Sequence, residues 1–198
     1  MTTTPLWIQL IGLALALSGW AKVAYDLLTA SPKVRGRILN IMRGQMQDPR
    51  QPSASLTAFT SYLYLVNERK NVVHLLDYEL EVKVDKQWSR LERVYGLHTV
   101  ENLAFNAPDG EPVTISSFSD NLIYRKNQPV EFGKPLHGWI MFAGTASLHQ
   151  ADIACYRLTC IDAFDKRHVF QRAPKDFGNL NLLQEIAGIS LPKSARSG

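Results

Sequence analysis

The sequence predicts an all-β protein, an antiparallel β-sandwich of about seven or eight strands preceded by one N-terminal transmembrane helix. Three observations carry this expectation. Leu76, Tyr78, Leu80, Val82 and Val84 alternate with Asp77, Glu79, Glu81, Lys83 and Asp85. Such period-two alternation marks an antiparallel strand with one wet face. Other short segments rich in β-branched and aromatic residues are separated by turn signals, with little helical periodicity between them. Ahead of them all, Leu6 to Ala21 (LWIQLIGLALALSGWA) carries no charge.

Sixteen residues rise about 24 Å as a helix, short of the roughly 30 Å hydrocarbon core. Val23, Ala24, Leu27 and Leu28 extend the run, and Lys22 is placed to snorkel into headgroups. Trp7 and Tyr25 fall about 27 Å apart along a helix, which suits two interfacial aromatic belts. Trp7, Trp20, Lys22 and Tyr25 are therefore the expected membrane-anchor residues. A cleaved signal peptide is one alternative, since Ala16-Leu17-Ser18 and Gly19-Trp20-Ala21 offer small residues, but MTTTP lacks the usual basic n-region. A buried core helix is the other. The uncleaved single-pass anchor is preferred.

From Lys22 to Arg50 six basic residues face only Asp26 and Asp48, a surplus equal to the formal charge of +4 on the whole chain. The remainder is formally neutral. The basicity is thus juxtamembrane, held by Lys33, Arg35, Arg37 and Arg43 among others, and gives no sign of a nucleic-acid face. By the positive-inside rule the β-domain lies on the cytoplasmic side of the inner (plasma) membrane; a periplasmic or extracellular domain is the alternative. The two cysteines, Cys155 and Cys160, stand at an odd offset that points them to opposite faces of a strand, so free thiols are expected. None of the nine Asn residues begins an N-x-Ser/Thr sequon.

In chain order the expected units are the anchor helix over 1–30, a basic connector over 31–55, a sandwich over 56–175, and a short helix with tail over 176–198. Val34 to Met46 reads either as a basic amphipathic helix on anionic lipid or as the first strand; Gly36 favours the strand. Thr57 to Val66 is a core strand. Trp88 to Tyr95 is expected at an edge, with Trp88 covering one end of the core. Val100 to Pro112 reads as loop with a turn at Pro108-Asp109-Gly110, then Val113 to Ser119 and Leu122 to Tyr124 as a short interrupted strand. Pro129 to Phe132 leads into a strand from His137 to Phe142. Ala154 to Ile161 pairs with Arg167 to Arg172 as a terminal hairpin, and Leu182, Leu183 and Ile186 suggest a last short helix stopped by Gly188.

The stretches LYLVNERKNVVHLLDYELEV, KPLHGWIMF and YRLTCIDAFDKRH together resemble bacterial immunoglobulin-like sandwich domains. In particular they are similar to uncharacterised membrane-anchored bacterial proteins in which Gly-Trp-hydrophobic-hydrophobic-Phe precedes a closing hairpin. The resemblance implies a fold and no catalytic residue, and the Cys…Trp…Cys framework of antibody domains is missing.

Sites of chemistry are sparse. The histidines at 74, 98, 137, 149 and 168 show no metal spacing; His149 with Asp152 is the nearest to a ligand pair. His137 is expected at a strand edge or in a loop. Asp120, Glu131, Asp162 and Asp165 could crowd a calcium site, although turn formation accounts for them. Neither a nucleophile elbow nor a phosphate loop is present, and DFG at Asp176 stands without its companion motifs. No cofactor is expected, and no small-molecule ligand is identified. The expectation is a non-enzymatic binding or accessory module whose partners are membrane lipid and another membrane or membrane-associated protein. An enzyme with a loop-built site, or a lipid-surface protein using residues 33–50, is the alternative.

Overall fold

The computed structural model describes residues 5–30, 32–48, 51, 53–106, 112–125, 128–177 and 189–190. The expected turn at 108–110 and the expected helix at 182–188 lie outside these residues, as does the 191–198 tail. Helix α1 (Leu6–Ala30) is followed by ten strands: β1 (Val34–Gln47), β2 (Ser55–Asn67), β3 (Leu75–Val84), β4 (Gln87–Arg93), β5 (Leu103–Asn106), β6 (Pro112–Ile115), β7 (Leu136–Thr145), β8 (Cys155–Asp162), β9 (Arg167–Arg172) and β10 (Ile189–Ser190). Seven form one antiparallel sheet in the order β1-β2-β7-β4-β3-β8-β9, and β10-β6-β5 form a second.

An immunoglobulin-like sandwich is not shown; the large sheet curls into a half-barrel. Its corner is the short junction of β4 with β7, where only Glu92↔Ala143 and Arg93↔Phe142 pair. The curl brings β1 back toward β9, with Gly36 against Phe170. Inside lies one core containing Ile38, Leu63, Leu65, Leu80, Ile140, Phe142 and Leu158. A second core, with Tyr62, Ile115, Phe118, Leu122, Trp139 and Met141, fills the space under the small sheet. Strand β2 therefore has apolar cover on both faces, and every residue from Thr57 to Leu63 is buried. Continuous burial of this kind replaces the alternation that a strand with one wet face shows.

Two bulges decide which side chains reach the interior, because an extra residue inverts the facing of all that follows. In β1 the register slips between Ile38 and Asn40. Val34 and Ile38 face the first core before the slip, and Ile41 faces it afterwards. In β3 the slip falls between Leu75 and Asp77. Tyr78, Leu80 and Val82 are buried as the alternation predicts, but Leu76 at the bulge is 65% exposed.

Val34 to Met46 is strand, the reading Gly36 favours, and pairs along its length with β2. Other expectations are corrected by these pairings. Strand β4 is interior to the sheet, and Trp88, opposite Lys83 on the outer face, covers no end of the core. Residues 103–106 are a strand inside the expected loop. Leu122 to Tyr124 and Pro129 to Phe132 contribute only isolated bridges. Leu122 bridges Trp139, and the close crossing requires Gly138, where a Cβ would fall on the Asn121 carbonyl oxygen.

The amino-terminal segment is helical as expected, but a transmembrane span is not shown. Among the described residues no helix is long and apolar enough to cross a membrane. Gln9, Ser18 and Lys22, followed by Asp26, dilute the apolar run.

Candidate functional site

The sheet corner holds the most unusual polar group. Leu91 of β4 is buried in the first core, and the two-residue period sends Arg93 toward the same interior side. The Arg93 side chain is only 10% exposed. Its Nη1 donates to Asp77 Oδ1 at 3.0 Å. Its guanidinium carbon stands 4.5 Å from the ring centre of Tyr124, 4.9 Å from Tyr95 and 5.5 Å from Tyr78. A cation among three tyrosine faces gains about 0.5–1 kcal/mol per good contact, and more where water is excluded.

Two buried donors in this cluster have no hydrogen-bond partner among the described residues: Arg93 Nε and the Tyr124 hydroxyl. Burial pushes both Tyr78 and Tyr124 above the ordinary phenol range, opposed by the Arg93 charge in each case. Both phenols stay protonated at neutral pH. Three clefts meet at Arg93. One, of about 490 Å³, is lined by His74, Leu76, Tyr78 and Tyr124. Another, of about 400 Å³, runs between Met46 and Tyr95. The third, of about 570 Å³, lies over Glu79 and Arg90. The positive charge of Arg93, where these clefts meet, suits an oxyanion such as a carboxylate.

The residues singled out in the sequence are dispersed. On α1, Trp20, Lys22 and Tyr25 are exposed, whereas the Trp7 side chain lies outside the described set. Lys33 and Arg35 both pair with Glu68, at 2.9 and 2.8 Å, and Arg37 lies on the exposed side of β1. Arg43 does not share their face. The β1 bulge turns it inward, where it donates to the Leu148 and Ala151 carbonyls at 3.3 and 2.7 Å. It ties β1 to the 148–151 segment.

His149 is buried with Nδ1 unpartnered, while Asp152 is exposed. Among the described residues no three His, Cys, Asp or Glu side chains gather to hold a metal ion. Three of the four carboxylates considered for calcium are engaged separately. Asp120 pairs with Arg125, Glu131 with Lys134, and Asp162 with His168. His137 is exposed on β7 and its Nδ1 meets the Tyr62 hydroxyl at 2.8 Å. Cys160 is fully buried and Cys155 half-buried, both free.

Sequence reasoning missed Arg93 and its tyrosines. One signal was available, since Arg93 falls in phase with inward-facing Leu91.

These features define a mostly β protein with one amino-terminal helix and a polar–aromatic cleft at the corner of a curled antiparallel sheet. No family model matches the sequence, and no curated protein matches it. Among solved structures, a Bacillus subtilis protein described as a "putative lipoprotein" superposes with a TM-score of 0.42 at 10% identity. The match covers 72% of this chain and 37% of that one, and the likeness carries neither fold nor function over.

Proposed function

We propose that this protein is a non-enzymatic binding module held at a membrane by α1, with its β-domain presented to another membrane or membrane-associated protein. The observation behind the attachment is the condition of α1. Leu10, Ile11, Leu15, Leu17, Trp20 and Val23 are between 49% and 73% exposed. A contiguous exposed apolar surface of this size needs lipid or a partner to cover it. The basic surplus behind the helix supports a cytoplasmic placement at the plasma membrane, because cytoplasmic flanks carry the excess of Lys and Arg.

The binding role draws on the Arg93 cleft, whose positive charge suits an acidic group of the partner. Vesicle flotation of the full chain tests the attachment. Wild-type protein is expected to float, and a Leu15→Asp/Leu17→Asp variant to remain at the bottom of the gradient. Equal flotation of the two overturns the role of α1. Protease treatment of intact spheroplasts tests the side: the domain is expected to survive until lysis, and digestion before lysis reverses the orientation.

A further inference from the structure

Four exposed apolar side chains of the β-domain, Val72, Leu76, Phe132 and Phe164, collect at one end. Backbone hydrogen bonds tie together four segments there. Glu68 N donates to Lys33 O, Gly133 N to Asn67 O, Ala163 N to His74 O, and Val73 and Val130 exchange a pair. The β8–β9 turn joins them, with Lys166 Nζ donating to Pro32 O at 2.8 Å. From this assembly Val72 is 49% exposed, Phe132 56%, Leu76 65% and Phe164 86%. Phe164 sits in a four-residue turn where Asp165 adopts a positive φ of 58°. A phenylalanine at a polar turn contributes nothing to the core and costs hydration.

The same end carries a cationic excess. Lys33, Arg69, Lys70, Lys134 and Lys166 share these segments with Glu68, Glu131 and Asp165; Lys33 pairs with Glu68 and Lys134 with Glu131, so the excess rests on Arg69, Lys70 and Lys166. It is also where the chain arrives from α1: Lys33 follows Ala30 by three residues, a reach of about 10 Å.

We infer that this end of the domain docks on an anionic lipid surface, with Phe164 and Phe132 entering the headgroup region and Arg69 and Lys70 meeting lipid phosphates. The inference rests on the proposed attachment through α1, which confines this end to the bilayer surface. Aromatic rings prefer the interfacial zone, and each cation near an anionic leaflet adds attraction that salt screens. A domain held close and oriented in this way points its opposite end, at the β3–β4 turn, into solution.

The test uses the full chain with Cys155→Ser, in vesicles of phosphatidylcholine with and without phosphatidylglycerol, carrying doxyl-labelled lipid. An environment-sensitive fluorophore is attached at Phe164→Cys, or at Lys86→Cys in the far turn. Docking predicts several-fold stronger quenching at 164 than at 86 in anionic vesicles, weakened by salt and by the further change Phe132→Asp. Equal quenching at the two sites in protein that floats overturns docking while leaving the attachment intact. Failure to float overturns the attachment and docking together. Quenching at 164 that appears only after native membrane proteins are added assigns the surface to a protein and overturns the lipid assignment.

Discussion

Gly36 of β1 lies against the ring of Phe170 of β9, so that a Cβ at position 36 would stand 2.6 Å from the ring and 2.8 Å from Leu65. The two strands are at opposite ends of the sheet order, and their approach is what curls the sheet. Phe170 is half-buried and its ring has room to swing, whereas Leu65 is wholly buried. Gly36→Ala is expected to destabilise by about 1–2 kcal/mol through this overpacking, measured by urea unfolding. Gly138→Ala meets immovable backbone at Asn121 and Ile123. It is expected to cost more than Gly36→Ala, and a smaller loss would show that the 121–123 crossing yields.

The β8–β9 turn depends on Asp162. Its Oδ1 accepts from Phe164 N at 2.9 Å and Lys166 N at 3.0 Å, and its Oδ2 meets His168 Nε2 at 3.0 Å. Burial alone would raise this carboxyl, but the hydrogen bonds from His168 and the two amides outweigh it and hold it below its ordinary value. A depressed carboxyl adds stability above its unfolded pKa of about 3.9, and that contribution disappears as pH falls through the lower folded value. Asp162→Asn is therefore expected to destabilise at neutral pH and to narrow its deficit below about pH 4. A deficit unchanged between neutral and acid melts would contradict the ionised role.

Arg93 separates binding from folding. Removing one partner of a buried ion pair destabilises by leaving the other uncompensated, but the Asp77 side chain is 43% exposed and stays hydrated without Arg93. Arg93→Leu is expected to lower Tm by about 5–10 °C with the domain still folded. A photo-crosslinker at the exposed Tyr95 position is expected to capture a membrane protein with Arg93 present and to lose it with Arg93→Leu. Retained capture would remove Arg93 from the binding surface.

The thiols offer a direct check on β8. Burial pushes the Cys160 thiol far above its ordinary range, and Cys155 is half-buried. In native protein an aromatic disulfide reagent is expected to titrate Cys155 alone, and both thiols after denaturation. Fast modification of Cys160 in the native state would contradict its burial.

Alkaline titration probes the phenols. Tyr156 is pushed up to about 12, chiefly by burial and against the pull of Arg43. A phenol raised in this way contributes stability that is complete below its unfolded pKa of about 10 and fades as pH climbs toward the folded value. Tyr156→Phe is expected to flatten the loss of stability between about pH 10 and 12. An unchanged slope would show that Tyr156 ionises freely.

What the sequence determined by itself follows from short-range periodicity. The alternation from Tyr78 to Val82 placed those residues inside, and the offset of Cys155 from Cys160 placed the thiols on different faces. The hairpin after Cys155 and the helix after Pro5 were legible for the same reason, since each is specified by neighbours in the chain. Tertiary structure decided the rest. Bulges at Leu39 and Leu76 inverted facing, which turned Arg43 inward and left Leu76 in solvent. A second sheet covered β2 and β7, which no local pattern announces. Arg93 met Tyr124 only because β4 pairs with β7 across a corner two residues long. These outcomes depend on contacts between residues far apart in sequence, and periodicity within a strand contains no information about its partner.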